Sequence, residues 1–242
     1  TQKLRTALLN SLSHDLRTPL TTIRGAAGSL RTSWDSLSVA SRQDLLASIE
    51  QDTVRMTRFL ANIMDMTRLE TGEISPRLEA VLLPDLIELA VERVPGLGHV
   101  AIKSADDTPP VLADPALLEQ VFVNVLENAA KYGPPQGLVR ITAGRAPQAG
   151  KSGAGAVRLT FADEGPGIPE ADLPQVFDSF YRAQREDRTV PGTGLGLAIA
   201  RGLIESMGGT IIACSPRPDA PRDGAPGTLI EIALPAARPR QA

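Results

Sequence analysis

The apolar residues Leu9, Leu12, Leu16, Pro19, Ile23, Ala26 and Leu30 recur at alternating intervals of three and four. That alternation is the a/d seam of helices that pack against other helices, and it admits few folds. It resumes through Leu46, Ile49, Thr53, Met56, Leu60, Ile63 and Thr67, with Leu45, Phe59 and Met66 widening the stripe. Between the two runs, the polar stretch RTSWDSLS breaks the period and reads as a turn, and the second helix begins near Val39. Gly72, just past Leu69, is placed to cap that helix. The spacing therefore predicts an antiparallel helical hairpin over residues 1–72. Stripes this broad exceed what two helices bury against each other, so pairing of two hairpins into a four-helix bundle, hence a homodimer, is expected. The alternative is that the stripes pack on the downstream part of the chain.

His14 falls at position f of this register, opposite the seam, and so projects into water. Asp15 follows it directly, and Thr18 lies one helical turn on, on the same face as His14. A nearby carboxylate raises imidazole basicity and fixes which ring nitrogen carries the proton, leaving the other as a nucleophile. Pro19 removes the N–H that would bond the Asp15 carbonyl, so a bend is expected just below the histidine. Spacing alone leaves two readings open, a reactive histidine and an ordinary surface one.

The segment SHDLRTPL (13–20) resembles the H-box of two-component sensor histidine kinases, and RTALLNSLSHDLRTPLTTI (5–23) is similar to the KdpD subgroup. The resemblance implies that His14 is the phospho-acceptor and Asp15 the acid supporting it. It also implies that Thr18 completes a D-x-x-T pattern associated with dephosphorylating the partner.

With 242 residues the chain has room for a second domain. A net charge of −3 with interspersed signs gives no nucleic-acid surface, and the lone Cys214 excludes an internal disulfide framework. No apolar run approaches the roughly 20 residues that span a bilayer, and no signal peptide opens the sequence. Leu4 and Leu8 precede the seam, so Thr1 is read as lying inside a helix. The chain is accordingly expected to be a cytoplasmic piece of a longer protein whose sensor or membrane segment lies elsewhere.

Residues 73–237 mix helices and strands, and 238–242 read as a flexible tail. Strands are expected at 74–78, 100–103, 111–113, 138–143, 157–162, 209–214 and 228–234, and helices at 84–94, 115–131 and 197–207. Asp114-Pro115 is a helix start, with an N-cap acceptor and Pro in the first turn. On the helix that follows, Leu118, Val121, Phe122, Val125, Leu126 and Ala129 fill one arc. Gln120, Asn124, Glu127, Asn128 and Lys131 fill another. A solvated face is one account of the second stripe. The other is a ligand, since amide oxygens bind Mg²⁺ and a lysine one turn on meets phosphate.

NVLENAAKYG (124–133) resembles the N-box of the GHKL, or Bergerat, ATP-binding fold, an α/β sandwich. Carried over, Asn128 is the Mg²⁺ ligand, Asn124 supports metal and phosphates, and Lys131 and Tyr132 contact the nucleotide. DEGPGIP (163–169) describes a tight glycine turn that a plain β-turn would equally use. It resembles the G1 box, in which Asp163 accepts from the adenine amino group and Gly165 and Gly167 shape the turn. Glu164 departs from the Asn or Thr of many relatives. VFDSFYR (176–182) resembles the F-box, although core packing alone accounts for Phe177 and Phe180. PGTGLGL (191–197), with Gly192, Thr193, Gly194, Leu195 and Gly196, resembles the G2 box, whose glycines precede a helix N-terminus suited to an anion. Between the last two lies AQREDRTV (183–190), patterned like a lid; Arg185 and Arg188 within it, and Arg182 just before it, are candidates for the γ-phosphate. Gly144 to Ser152 mimics a P-loop but puts five residues, not four, between its glycines, and is rejected.

Together these motifs imply a histidine kinase core. ATP·Mg²⁺ binds the α/β domain, the phosphoryl group passes to His14, and then to an aspartate on a response regulator receiver domain. The two domains are expected to hinge near Gly72. Two rivals remain. A GHKL ATPase of the chaperone or topoisomerase type resembles the chain in its nucleotide boxes. Such enzymes carry a Glu base four residues before the metal Asn, and Asn124 stands there. The other rival is a nucleotide-gated scaffold or phosphatase. Potassium sensing, and a parent anchored in a bacterial inner membrane, are what the KdpD-like stretch suggests.

Overall fold

A computed structural model describes residues 2–146, 155–182, 193–221 and 224–237, with side chains described from Leu16 onward. The chain divides into two compact units, Thr1–Thr67 and Arg68–Ala242.

The first unit consists of α1 (Gln2–Ser33) and most of α2 (Val39–Glu70), joined through a 3-10 turn at Trp34–Ser36. Helix α1 runs through Arg31 and Thr32, which the sequence assigns to the turn; the Thr32 hydroxyl donates to the Gly28 carbonyl within the helix. Pro19 lies inside α1 and is buried, as are Ala26 and, on α2, Phe59. Leu20, Leu46, Val54, Leu60 and Met64 stay exposed, an apolar stripe that one hairpin leaves uncovered. Helix α2 ends in a Schellman motif, in which Gly72 (φ +69°) donates to Leu69 O and Glu73 to Arg68 O. The left-handed backbone there suits a residue without Cβ.

The second unit is an α/β sandwich. Its main sheet orders β2 (His99–Ser104), β4 (Leu138–Arg145), β5 (Ala156–Ala162), β7 (Leu229–Pro235) and β6 (Thr210–Cys214). Strand β2 runs parallel to β4, and the other neighbours are antiparallel. A small ladder pairs β1 (Glu79–Val81) with β3 (Val111–Ala113). Helices α3 (Leu83–Glu92), α4 (Pro115–Tyr132) and α5 (Gly196–Ser206) complete the unit. Alternation decides which face is covered. Val139, Ile141, Val157, Leu159, Phe161, Ile230, Ile232 and Leu234 are buried with Leu118, Phe122, Leu126, Ile199 and Leu203 of the helices. The intervening Arg140, Thr142, Arg158, Thr160 and Glu231 stay at least partly exposed. Phe122 and Phe161 meet at 5.4 Å between ring centroids, joining α4 to the sheet. Each such ring contributes about 1.5–3 kcal/mol by its burial.

The expected strand at 74–78 is corrected: those residues join no ladder, and the strand is Glu79–Val81. Pro76 has no N–H for a ladder, and the Arg77 N–H donates instead to Asp114 Oδ2 at 2.9 Å. The helix expected over 84–94 spans Leu83–Glu92, and α5 starts at Gly196 rather than Leu197.

Candidate functional site

Helix α4 supplies one wall of the site. Asp114 Oδ1 accepts from the Ala116 and Leu117 N–H groups at 3.1 and 3.2 Å, starting the helix where the Asp-Pro pair predicts. The apolar arc of α4 faces the sheet, which turns Asn124 and Asn128 the other way, toward the start of α5. A Cβ built on Gly196 would lie 3.9 Å from both Asn124 Oδ1 and Asn128 Nδ2. The two amides and the first residue of α5 thus face one space. Asn124 is 7% exposed, and its Nδ2 has no partner among the described residues. A buried, unmet donor is costly unless something occupies the space before it.

The G1-like turn closes the adjoining side. Asp163 Oδ1 accepts from the Gly165 N–H at 2.7 Å and the Thr228 N–H at 3.2 Å, while the Asp163 N–H donates to Thr228 O. Burial pushes the Asp163 carboxyl above its ordinary range, an effect opposed by those two N–H donors and by the Arg217 guanidinium. Gly165 packs so tightly that a Cβ would stand 3.1 Å from the Tyr132 carbonyl at the end of α4. At Gly167 the backbone is left-handed (φ +72°). Ser215 Oγ accepts from the Ile168 N–H at 2.7 Å and donates to Gly227 O at 2.9 Å. Ser215, Arg217, Gly227 and Thr228 therefore buttress the turn. The sequence reading missed all four, because the bonds join positions 47 and 65 residues apart and carry no local signal.

Phe177 and Phe180 of the F-box-like segment are half-buried rather than core. Phe180 adopts φ +65° and donates its N–H to Gly194 O at 2.9 Å, so the ends of the intervening loop are clamped together. Gly194 is itself left-handed (φ +68°), and a Cβ there would stand 2.6 Å from the Tyr181 carbonyl. The Tyr181 hydroxyl donates to Asp172 Oδ1 at 2.6 Å, which raises the phenol's pKa. Thr193 Oγ1 accepts from the Leu195 N–H at 3.3 Å, and Leu195 is wholly buried at the head of α5. Arg182 is exposed, while Arg185, Arg188 and Gly192 lie outside the described residues.

Lys131 and Tyr132 engage each other, with Nζ donating to the phenol oxygen at 2.8 Å. A cavity of about 350 Å³ opens beside them, lined by Lys131, Gly133, Pro134, Leu138, Asp163 and Glu164 among others. It reaches the Asp163 end of the site but not Asn124, Asn128 or Gly196. Glu164 Oε2 accepts from the Leu138 N–H at 3.1 Å, which ties the turn to the start of β4.

The residues fit a nucleotide with a hard divalent cation. No group of three His, Cys, Asp or Glu side chains among the described residues could hold a metal. Amide oxygens completed by phosphate oxygens suit Mg²⁺, which prefers substrate phosphates to a cage made only of protein.

His14 and Asp15 lie on α1, but their side chains are outside the described residues. Thr18 is exposed, one turn further along.

A family model for the Histidine kinase-, DNA gyrase B-, and HSP90-like ATPase matches residues 113–238. The His Kinase A (phospho-acceptor) domain matches residues 4–72. The sensor protein KdpD of Mycobacterium tuberculosis is 36% identical over 98% of this chain and 27% of its own length. KdpD of Escherichia coli K12 is 35% identical over 97% of the chain and 25% of its own length. The chain thus spans about a quarter of those relatives. Among solved structures, the mycobacterial sensor histidine kinase MprB superposes with a TM-score of 0.56 at 32% identity, covering 66% of this chain and 100% of its own. Full-length ShkA in complex with AMPPNP gives a TM-score of 0.64 at 26% identity, over 95% of this chain and 46% of its own.

Proposed function

The chain belongs to the sensor histidine kinases, carrying both their phospho-acceptor and their GHKL ATPase modules, and from that membership we propose that it autophosphorylates on His14 with ATP·Mg²⁺. The observation that carries the reading is the convergence of Asn124, Asn128 and Gly196 on one space, with a buried amide donor left unmet. In this reading residues 1–72 form the dimerising phosphotransfer hairpin and 73–237 the nucleotide domain.

The Asp163 carboxylate accepts a hydrogen bond from the adenine amino group. Asn128 would ligate the Mg²⁺ that neutralises phosphate charge, Asn124 would support metal and phosphates, and Lys131 and the amides of Gly194–Gly196 would face the phosphate oxygens. Lys131 reaches them by exchanging its bond to Tyr132. The His14 imidazole attacks the γ-phosphorus; the N–P bond forms as the bond to the β–γ bridging oxygen breaks, and ADP leaves. Asp15 keeps the attacking tautomer. The chain supplies position and charge, which is most of what phosphoryl transfer requires. The phosphoryl group then passes to a carboxylate on a response regulator. Thr18, exposed one turn from His14, suits the reverse duty of directing water at that acyl phosphate. Hydrolysis of ATP by the chain itself is disfavoured at Asn124, since an amide cannot take a proton from water. The parent protein is proposed to be anchored in a bacterial inner membrane; no described helix is long and apolar enough to cross one.

Incubation with γ-labelled ATP and Mg²⁺ tests the proposal. Acid-labile, alkali-stable label that survives His99→Gln and vanishes in His14→Gln is expected. Steady phosphate release that persists in His14→Gln would overturn it in favour of an ATPase.

A further inference from the structure

Arg217 is buried to 6% exposure in the loop after β6, an uncommon place for a guanidinium. Its backbone is fixed at both groups, with N–H donating to Pro226 O at 2.9 Å and the carbonyl accepting from Ala220 N–H at 3.0 Å. Its side chain reaches back to the G1-like turn. One terminal nitrogen stands 3.8 Å from Glu164 Oε1, and the other 3.7 Å from Asp219 Oδ2. Asp219 is shared with Arg140 of β4. At these separations the attraction is Coulombic rather than a hydrogen bond, and Nε has no partner among the described residues.

The guanidinium lies against Gly227, which in turn abuts the Asp163 backbone. A Cβ at Gly227 would lie 2.4 Å from the Asp163 carbonyl oxygen and 2.8 Å from Arg217 Nε, so both crowd one face of that residue. Gly227 tolerates this because it has no side chain and sits at φ +63°. The Gly227 N–H also holds Gly165 O at 2.9 Å. Glu164 and Asp219, the two carboxylates that offset Arg217, are 38% and 52% exposed. Water and salt screen them far better than they screen the buried cation. The Arg217 guanidinium thus favours the ionised Asp163 carboxyl against the larger desolvation that opposes it, and Lys131 is the cation that lines the adjoining cavity.

We propose that Arg217 is a positioning residue for base recognition, holding the Asp163 turn in place with its carboxylate toward the amino group of an adenine nucleotide. The inference rests on the reading of Asp163 as adenine acceptor, and it goes beyond that reading by giving Arg217 and Glu164 a part in base selectivity. Glu164 faces the guanidinium from one side and accepts from the Leu138 N–H on the other.

The test compares binding of ADP·Mg²⁺ and IDP·Mg²⁺ by calorimetry, since hypoxanthine carries a carbonyl where adenine carries the amino group. Two variants remove the charge: Arg217→Gln keeps a polar head, and Arg217→Met keeps the apolar stem. Melting curves identify which is folded, and selectivity is read on that one. Expected is a loss of about tenfold in ADP affinity with IDP affinity held or improved, and recovery of selectivity in Arg217→Lys. Equal losses for both nucleotides would make Arg217 merely structural and overturn the inference, as would wild-type selectivity in the variant. A wild type that does not prefer ADP to IDP, or an Asp163→Asn that still does, would instead defeat the underlying reading of Asp163.

Discussion

Asp163→Asn separates binding from stability in opposite directions. In the wild type, Oδ1 is committed to the Gly165 and Thr228 N–H groups, which leaves Oδ2 for the ligand. Asparagine keeps the Oδ1 acceptor and both bonds but puts an NH₂ where Oδ2 stood. Flipping the amide is closed off, because the NH₂ would then face two backbone donors. The adenine amino group therefore meets a donor instead of a charged acceptor. A hydrogen bond to a charged group is worth about 1.5–3 kcal/mol, and an unmet buried donor costs about 1–3 kcal/mol more. Together these predict a loss of at least about 2.5 kcal/mol, roughly 60-fold or more in ADP affinity by calorimetry. Stability should move the other way. Desolvation raises the folded-state pKa of Asp163 above the ordinary 3.8, so the folded chain binds protons more readily than the unfolded one. The ionised carboxylate thus subtracts stability as pH rises through that raised pKa, a subtraction asparagine avoids. Nucleotide-free Asp163→Asn is expected to melt at or above wild type at pH 7.5, the gap closing as pH falls toward the ordinary carboxylate range. ADP binding within twofold of wild type would refute the ligand argument. A melting point several degrees below wild type would refute the electrostatic one.

Asp114→Ala removes two cap bonds and the acceptor for the Arg77 N–H, and should cost about 2–3 kcal/mol in urea unfolding; Asp114→Asn should restore the two cap bonds but not the Arg77 bond, and so recover only part of it. Gly194→Ala forces a Cβ to 2.6 Å from the Tyr181 carbonyl at φ +68°. It is expected to lose about 1–3 kcal/mol and to weaken ADP binding as the Phe180–Gly194 clamp opens; full retention of both would show the clamp to be incidental. Leu46 and Leu60 are 52% and 51% exposed in the single chain. Leu46→Glu combined with Leu60→Glu should therefore yield a folded monomer in sedimentation velocity, and a variant that stays dimeric would place the interface elsewhere.

The sequence by itself determined every element whose cause is local. The helices of the hairpin follow from the three–four period, the cap at Gly72 from a glycine after the last periodic leucine, and the start of α4 from Asp114-Pro115. The two asparagines of α4 were legible as a stripe distinct from its apolar arc, because helical geometry alone sorts them. Strand 74–78 failed for the opposite reason: its apolar residues gave a local signal, while its backbone was claimed by Asp114, far along the chain. Only the tertiary structure decided that the amides of α4 meet the start of α5, since that depends on two helices packing on one sheet face. It alone decided that Asp163 is backed by Thr228, Gly227, Ser215 and Arg217. Hydrogen bonds and Coulomb fields act across space at a few ångströms, whatever the sequence separation. A pattern along the chain can therefore name the groups that bear the chemistry, but not the buried groups that hold and tune them.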